Sequence, residues 1–354
     1  MGKENIGWIL LASLVFVSSP TWAEDGQIEI SQVCAVQTGC VSGDAPGFPV
    51  TLDGSAGASH VLTSDLVVPL ATNGIEFVAS GSSLDLNGFR IVRSGCETAT
   101  TNCTPLAGTG SGVSASIGVT GISVRNGSVV GMAASGVQLR QSSLVEDVRV
   151  RWNANRGVSV SAGSTLNSVV AYQNGQSGIV VFESTVRSVA TARNADWGLD
   201  GVSSTVFGST AFQNGTVGFR LGASFGAYLR ASSAYANGQA SPSSSNFGIG
   251  LNVLTVHFCA SGANGGRGFT NFDGGVIAHS ASFANQFEGI RVLDTLVQGS
   301  TSRDSGGDGL LMDQGVVPAS SSYRGNTITN AGGVTVSGGT STGANSCNGL
   351  NFCP

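Results

Sequence analysis

After Lys3 the chain contains no lysine, and its other 15 cations are all arginine. That excludes a lysine base from every later position. Arginine serves as a base only when strongly desolvated, because its pKa is very high. Charge of either sign is scarce, at 10% of residues, and the formal net charge is −5. A weakly acidic, lysine-free surface argues against a nucleic-acid partner, which needs many phosphate-neutralising cations. An anionic polymer stays compatible if the arginines cluster. The three histidines, His60, His257 and His279, lie far in sequence from every cysteine pair, which disfavours a zinc site. No regular acidic repeat supports a calcium array, so Asp and Asn ligands for calcium are a third-rank reading and no cofactor is expected.

Long apolar runs are also missing, with one exception at the start. Ile6 to Val17 is broken only by Gly7 and Ser13. Lys3 precedes this stretch, Glu4 weakens its positive character, and Thr21-Trp22-Ala23 offers a small-x-small cleavage pattern. Residues 1–23 are expected to be an export leader cut after Ala23. The alternative is an uncleaved interfacial anchor. No later run reaches membrane-spanning length. The expected location is periplasmic or extracellular.

What the chain has in abundance is glycine, 53 of 354 residues. Gly136, Gly157, Gly178, Gly198, Gly218, Gly248, Gly268, Gly289 and Gly309 each follow a short turn and precede an apolar residue, mostly 20 or 21 apart. Four residues ahead runs an asparagine column: Asn153, Asn174, Asn194, Asn214, Asn264 and Asn285. Asn237 belongs to it, displaced by an insertion, and Asp304 is assigned its next place. Between the columns apolar residues alternate, as in Val158 and Val160 or Ile179 and Val181, the period of a strand with one buried face. A second short strand precedes each Asn. Its inward positions are expected to be Val148, Val169, Val189, Ser209, Ser232, Cys259 and Ser280.

Helical or leucine-rich repeats need runs of 3.6 periodicity, and none is present. Each unit is therefore a coil of strands and tight turns, stacked on the next at about 4.8 Å. Asn side chains stacked at that spacing can bond along the axis. The glycines suit left-handed or cramped corners. The fold expected is all-β and single-domain. Residues 24–60 form an N-terminal cap, 61–335 the solenoid and 336–354 a C-terminal cap, with loops at 94–112 and 238–247. Cys34 with Cys40, Cys96 with Cys103 and Cys347 with Cys353 read as local disulfides that pin the caps. Cys259 reads as a buried, inert thiol.

The Asn-x-x-x-Gly-apolar pattern resembles the parallel β-helix repeat of the pectate-lyase-like superfamily. Leu84-Asp85-Leu86-Asn87-Gly88-Phe89-Arg90-Ile91 resembles the first coil of many bacterial members. The resemblance implies a right-handed helix, the usual hand of parallel crossovers. It also implies a site on an outward sheet face, where lyases, hydrolases and epimerases of the superfamily act on polysaccharides. Their motifs are absent here: no Asp-Pro-His-Glu-like sequence, no paired aspartates with Gly-His-Gly. Leu293-Asp294-Thr295-Leu296 faintly resembles a methylesterase signature without its flanks.

Outward positions two and five after each glycine carry the remaining candidates. Asp200 and Arg220 fall at equivalent places in successive coils, with Glu183 expected nearby. Asp273, Arg291 and Asp294 form a second group. Carboxylates there offer acid and base, and arginine a bidentate clamp for an acidic sugar. The plainer reading is ordinary cross-strand pairing. His257 and His279 are candidate bases or solvated surface residues. Tyr172, Phe212, Tyr235 and Phe283, each two before the Asn column, form either a sugar platform or corner packing. Packing is the preferred reading, and Ala192 and Gly262 break the line. Two functions follow: binding or processing of a polysaccharide on an outward face, or a non-catalytic surface or matrix solenoid.

Overall fold

The computed structural model describes residues 26–53, 57–98, 103, 106, 108–222, 226–313, 321–349 and 353, with the backbone alone at 251–254 and 273. The expected leader, 1–23, lies outside the described residues.

Each coil contributes one strand to each of three parallel stacks, which we call the first, second and third sheets. In one coil these strands are Ile179–Phe182, Thr185–Arg187 and Ala190–Ala192. They pair in register with Leu199–Val202, Thr205–Phe207 and Thr210–Phe212 of the next coil. About 13 turns stack into a right-handed parallel β-helix. Strands also run through both segments expected to be caps. Gln27–Ile30 pairs with Ser59–Leu62 at one end, and Ser346–Cys347 pairs with Thr327–Thr329 at the other. The only helix among the described residues, Gln32–Gln37, sits near the N-terminal end, capped by Ser31. Among the described residues no helix is long and apolar enough to cross a membrane.

The core is a set of axial columns. One of them runs Val137, Val158, Ile179, Leu199, Phe219, all fully buried. No single coil can bury these side chains, so each depends on its neighbours for cover.

The corners explain the polar repeats. A residue in the left-handed region turns the chain, and the next side chain points inward. Gln173, Arg193, Gln213, Ala236 and Ala263 do this before the asparagines, with φ between 50° and 55°. The repeat glycines are not left-handed; they are the cramped ones. A Cβ on Gly178 would lie 2.6 Å from Asn194 Nδ2 and 2.7 Å from the Gly198 carbonyl. The inward asparagines form a continuous ladder. Each Nδ2 donates to the next Oδ1, at 2.9 Å from Asn153 through Asn237. The chain of bonds continues at 3.2 Å to Asn264 and 2.8 Å to Asn285. The 238–247 insertion leaves from this corner without interrupting it. Past Asn285 the ladder place belongs to Ser305, which is buried, and not to Asp304. Asp304 is the left-handed corner residue, φ 53°, and accepts from Asn330 Nδ2.

A second ladder lines the opposite end of the third sheet. Ser209 N donates to Ser232 Oγ at 3.1 Å, Cys259 N to Ser280 Oγ at 3.2 Å, and Ser280 N to Ser300 Oγ at 3.3 Å. All three disulfides form as expected. Two lie near the ends. The third, Cys96–Cys103, pins no cap: the disulfide packs on the outside of the third sheet, against Val92, Val130 and Trp152.

Replacing Asn214 with Ala should leave the Asn194 amide and two backbone groups short of partners in a dry interior. The expected loss is about 3 kcal/mol in urea unfolding. An unchanged midpoint would mean that the ladder is a consequence of stacking and contributes little to it.

Candidate functional site

The alternation that buries one face of each strand presents the other to solvent in straight columns. On the first sheet the column two residues after the glycines runs Val180, Asp200, Arg220, Gly250, Thr270, Arg291. Asp200 and Arg220 are direct register partners, and Arg220 Nε lies 3.4 Å from Asp200 Oδ1. The guanidinium lies over Trp197, 3.8 Å from the ring centroid. Burial pushes the Asp200 carboxyl above its usual range; Arg220 and Arg156 pull it back, and Asp196 adds to the rise. Trp197, Arg156 and Asp196 were not among the sequence candidates. They sit on the turn before each glycine, whose spatial overlap with the strand column only stacking reveals.

The other members of these groups separate. Glu183 is the exposed corner residue after its strand, φ 43°, and is not a register partner of Asp200. Arg291 Nε bonds Asp313 Oδ2 at 2.7 Å, one coil onward, and its guanidinium lies 5.8 Å from the Phe272 ring. Asp294 is again a left-handed corner, φ 53°, three residues beyond Arg291. The side chain of Asp273 lies outside the described residues. His257 and His279 face outward on and beside the second sheet, where Phe258 stacks on His279 at 5.5 Å.

The aromatic line does not pack into the corners. It occupies an outward column of the third sheet: Arg151, Tyr172, Ala192, Phe212, Tyr235, Gly262, Phe283, Arg303. Phe212 and Tyr235 are 38% and 46% exposed, which makes them a surface and not a seal. Their rings are parallel within 4°, with centroids 6.0 Å apart. Tyr235 and Phe283 are two coils apart, yet their centroids are only 6.4 Å apart. Gly262 makes that contact. Phe283 leans across the glycine, and a Cβ at Gly262 would fall on its ring. The apparent break in the sequence is thus what brings Phe283, tilted 36° to Tyr235, into one contiguous run of three rings.

Arginines frame the run. Arg193 Nη1 donates to Tyr172 Oη at 2.9 Å, and Arg303 lies 5.7 Å from the Phe283 ring. From Val170 to Arg303 the strands of this sheet hold no carboxylate. Arg151 and Arg303 stand at the same repeat position as the aromatics, two before the inward ladder residue. A search for that position without regard to residue type would have found them.

Cys259 lies in the second ladder, 3% exposed, and burial pushes its thiol up to about 11. It should label with a thiol reagent at least about a hundredfold more slowly in the native protein than in urea. Comparable rates would place it on the surface. For Asp200, a raised folded pKa means that stability is lost as pH rises through that pKa and is retained below the ordinary carboxylate range. Asp200→Asn should therefore be as stable as the parent or more so at pH 7, by thermal unfolding, with the difference closing in acid. A drop in melting temperature at pH 7 would show that the Arg220 pair outweighs the burial.

No family model matches the chain, and no curated protein matches its sequence. Solved structures do. The A-module of the Azotobacter vinelandii mannuronan C-5 epimerase AlgE6 is 16% identical over 83% of this chain and 86% of its own, with a TM-score of 0.50. A double mutant of the periplasmic alginate epimerase AlgG is 11% identical over 90% and 83%, TM-score 0.48. Pectate lyase Pel9A is 16% identical over 75% and 69%, TM-score 0.40. The likeness is one of fold: this chain is a right-handed parallel β-helix.

Proposed function

We propose that the protein binds a linear acidic polysaccharide along the outer face of the third sheet. The observation that carries this is the solvent-facing run of Phe212, Tyr235 and Phe283, the first two stacked and the third tilted against them, with arginines at both ends. Sugar rings present apolar C–H faces that lie on aromatic rings. Arg151, Arg193 and Arg303 supply donors for carboxylates, and the face has no strand carboxylate to repel them. The column steps about 4.8 Å per coil, so a polymer lying along it meets aromatic faces in its middle and arginines toward its ends. The leader-like start and the three disulfides support an exported protein. The fold likeness to a mannuronan epimerase is compatible with a polysaccharide partner and adds no residue to the argument.

The first-sheet pairs favour a bracing role. Arg220 is held between Asp200 and Trp197, and Arg291 is held by Asp313. Groups engaged in this way brace neighbouring coils and are not free to act in proton transfer. Binding without turnover is therefore the reading we adopt.

The test is titration of the purified protein with sodium alginate, sodium polygalacturonate and neutral dextran. Absorbance of unsaturated uronates and new reducing ends would be followed in the same samples. Binding of an acidic polymer is expected, weakened roughly threefold to tenfold by either Phe212→Ala or Tyr235→Ala. Equal affinity in both variants, with the fold intact by circular dichroism, would remove the third sheet from the function. Turnover abolished by Arg220→Ala would move the chemistry to the first sheet.

A further inference from the structure

The second sheet carries an outward column of its own, at the last position of each strand. It runs from Arg187 through Phe207, Arg230 and His257 to Gln298 and Arg324. At about 4.8 Å per coil it is about 29 Å long. Neither this column nor the corner residues that follow its strands include a carboxylate. Arg187 and Arg230 make no ion pair among the described residues. Arg324 is oriented by a neutral group: its Nε and Nη2 both donate to Gln298 Oε1, at 3.2 and 2.8 Å. That contact holds the charge in place without cancelling it. The whole chain is acidic, with a formal net charge of −5, yet cations are gathered on this face. Like charges gathered on one face are unfavourable unless an anion joins them.

The corner beside the column is aromatic. Phe258 is left-handed, φ 54°, and 55% exposed. A bulky side chain in that region is strained, and equivalent corners use Ser188, Gly208 and Ala231. Exposure means that burial does not offset the strain. The ring forms a surface instead. His279 stacks on it, with centroids 5.5 Å apart and planes within 15°, and the Arg230 guanidinium lies 5.7 Å from its centroid. Beyond His279 the corner residues are Gly299 and Gly325, which with Gln298 and Arg324 border a hollow of about 380 Å³.

This face and the aromatic column of the third sheet are separate tracks. On one coil their places are held by His257 and Gly262, five residues apart with the Phe258 corner between them. That is up to about 16 Å of strand, too far for one chain lying along either column to cover both.

We infer that the second sheet binds a second chain of the same acidic polymer, so that one molecule of this protein holds two chains together. The inference rests on the polysaccharide reading above. Phe207, Phe258 and His279 offer ring faces to sugar C–H groups, and Arg187, Arg230 and Arg324 offer donors to carboxylates. Two tracks on one rigid solenoid turn a binder into a cross-linker, because a chain already held carries the protein to the next.

The experiment adds protein to a fixed amount of high-mass sodium alginate or sodium polygalacturonate and follows light scattering, with calorimetry on the same mixtures. Cross-linking predicts that scattering rises, peaks and falls again once protein saturates every chain separately. The double variant Arg230→Ala with Phe258→Ala changes two exposed side chains. It should still bind, take up about half as much polymer per molecule and lose the peak. Binding by the parent without a scattering peak would overturn the second track and leave the third-sheet site in place. A full peak in the double variant, with circular dichroism unchanged, would overturn it as well. Absence of binding to either polymer at any ratio would instead overturn the polysaccharide reading itself.

Discussion

The constraint on which this structure depends is the need to satisfy polar groups inside a narrow tube. Every coil must turn three corners, and each corner directs backbone N–H groups into an interior where water is excluded. A buried amide without a partner costs more than a typical hydrogen bond returns. The inward side chains of Asn194, Asn214 and Asn237 meet this need, each carboxamide accepting from the coil before it and donating to the coil after. The ladder fixes where each coil passes this corner and not how long the coil is, since bonded asparagines are 20 to 27 residues apart. It also fixes which residues may face out, because strand alternation counts from the corner.

Outward chemistry is thereby arranged in straight lines without any loop having to place it. Arg151, Tyr172, Phe212, Tyr235 and Arg303 are far apart in sequence, yet they share one column because each stands two before an inward ladder residue. Position along the axis is set by coil number, and direction is set by the corner. The same rule separates groups that look close in sequence. Arg291 and Asp294 differ by three residues, but one is on a strand and the other on a corner.

Two features break the regularity, and both bear on the surface. Gly262 removes a side chain from the aromatic column and lets Phe283 lean over to Tyr235, so that a gap becomes a contact. The Cys96–Cys103 disulfide covers Val92 and Val130 of the outer column near the start of the helix and takes that part of the column out of solvent. Departures of this kind are where a repeating scaffold acquires a site, since a perfectly periodic surface has no preferred position along its length.

The sequence by itself determined the fold class, the coil period, the Asn column and the three disulfides. These are recorded in spacing, and spacing survives without knowledge of contacts. It misplaced Asp304, whose neighbour Ser305 holds the ladder position, because a corner residue and an inward residue are adjacent and both polar. It could not give the direction of Tyr172, Phe212, Tyr235 and Phe283. Alternation has a period of two but no sign until a corner fixes which side is inward. Trp197 beneath Arg220 and Trp152 beneath Arg151 were equally hidden, since each pairing depends on how neighbouring side chains lie on the folded surface. The tertiary structure decided these because stacking turns distance along the chain into 4.8 Å steps along an axis, and only then do residues twenty or more apart become neighbours.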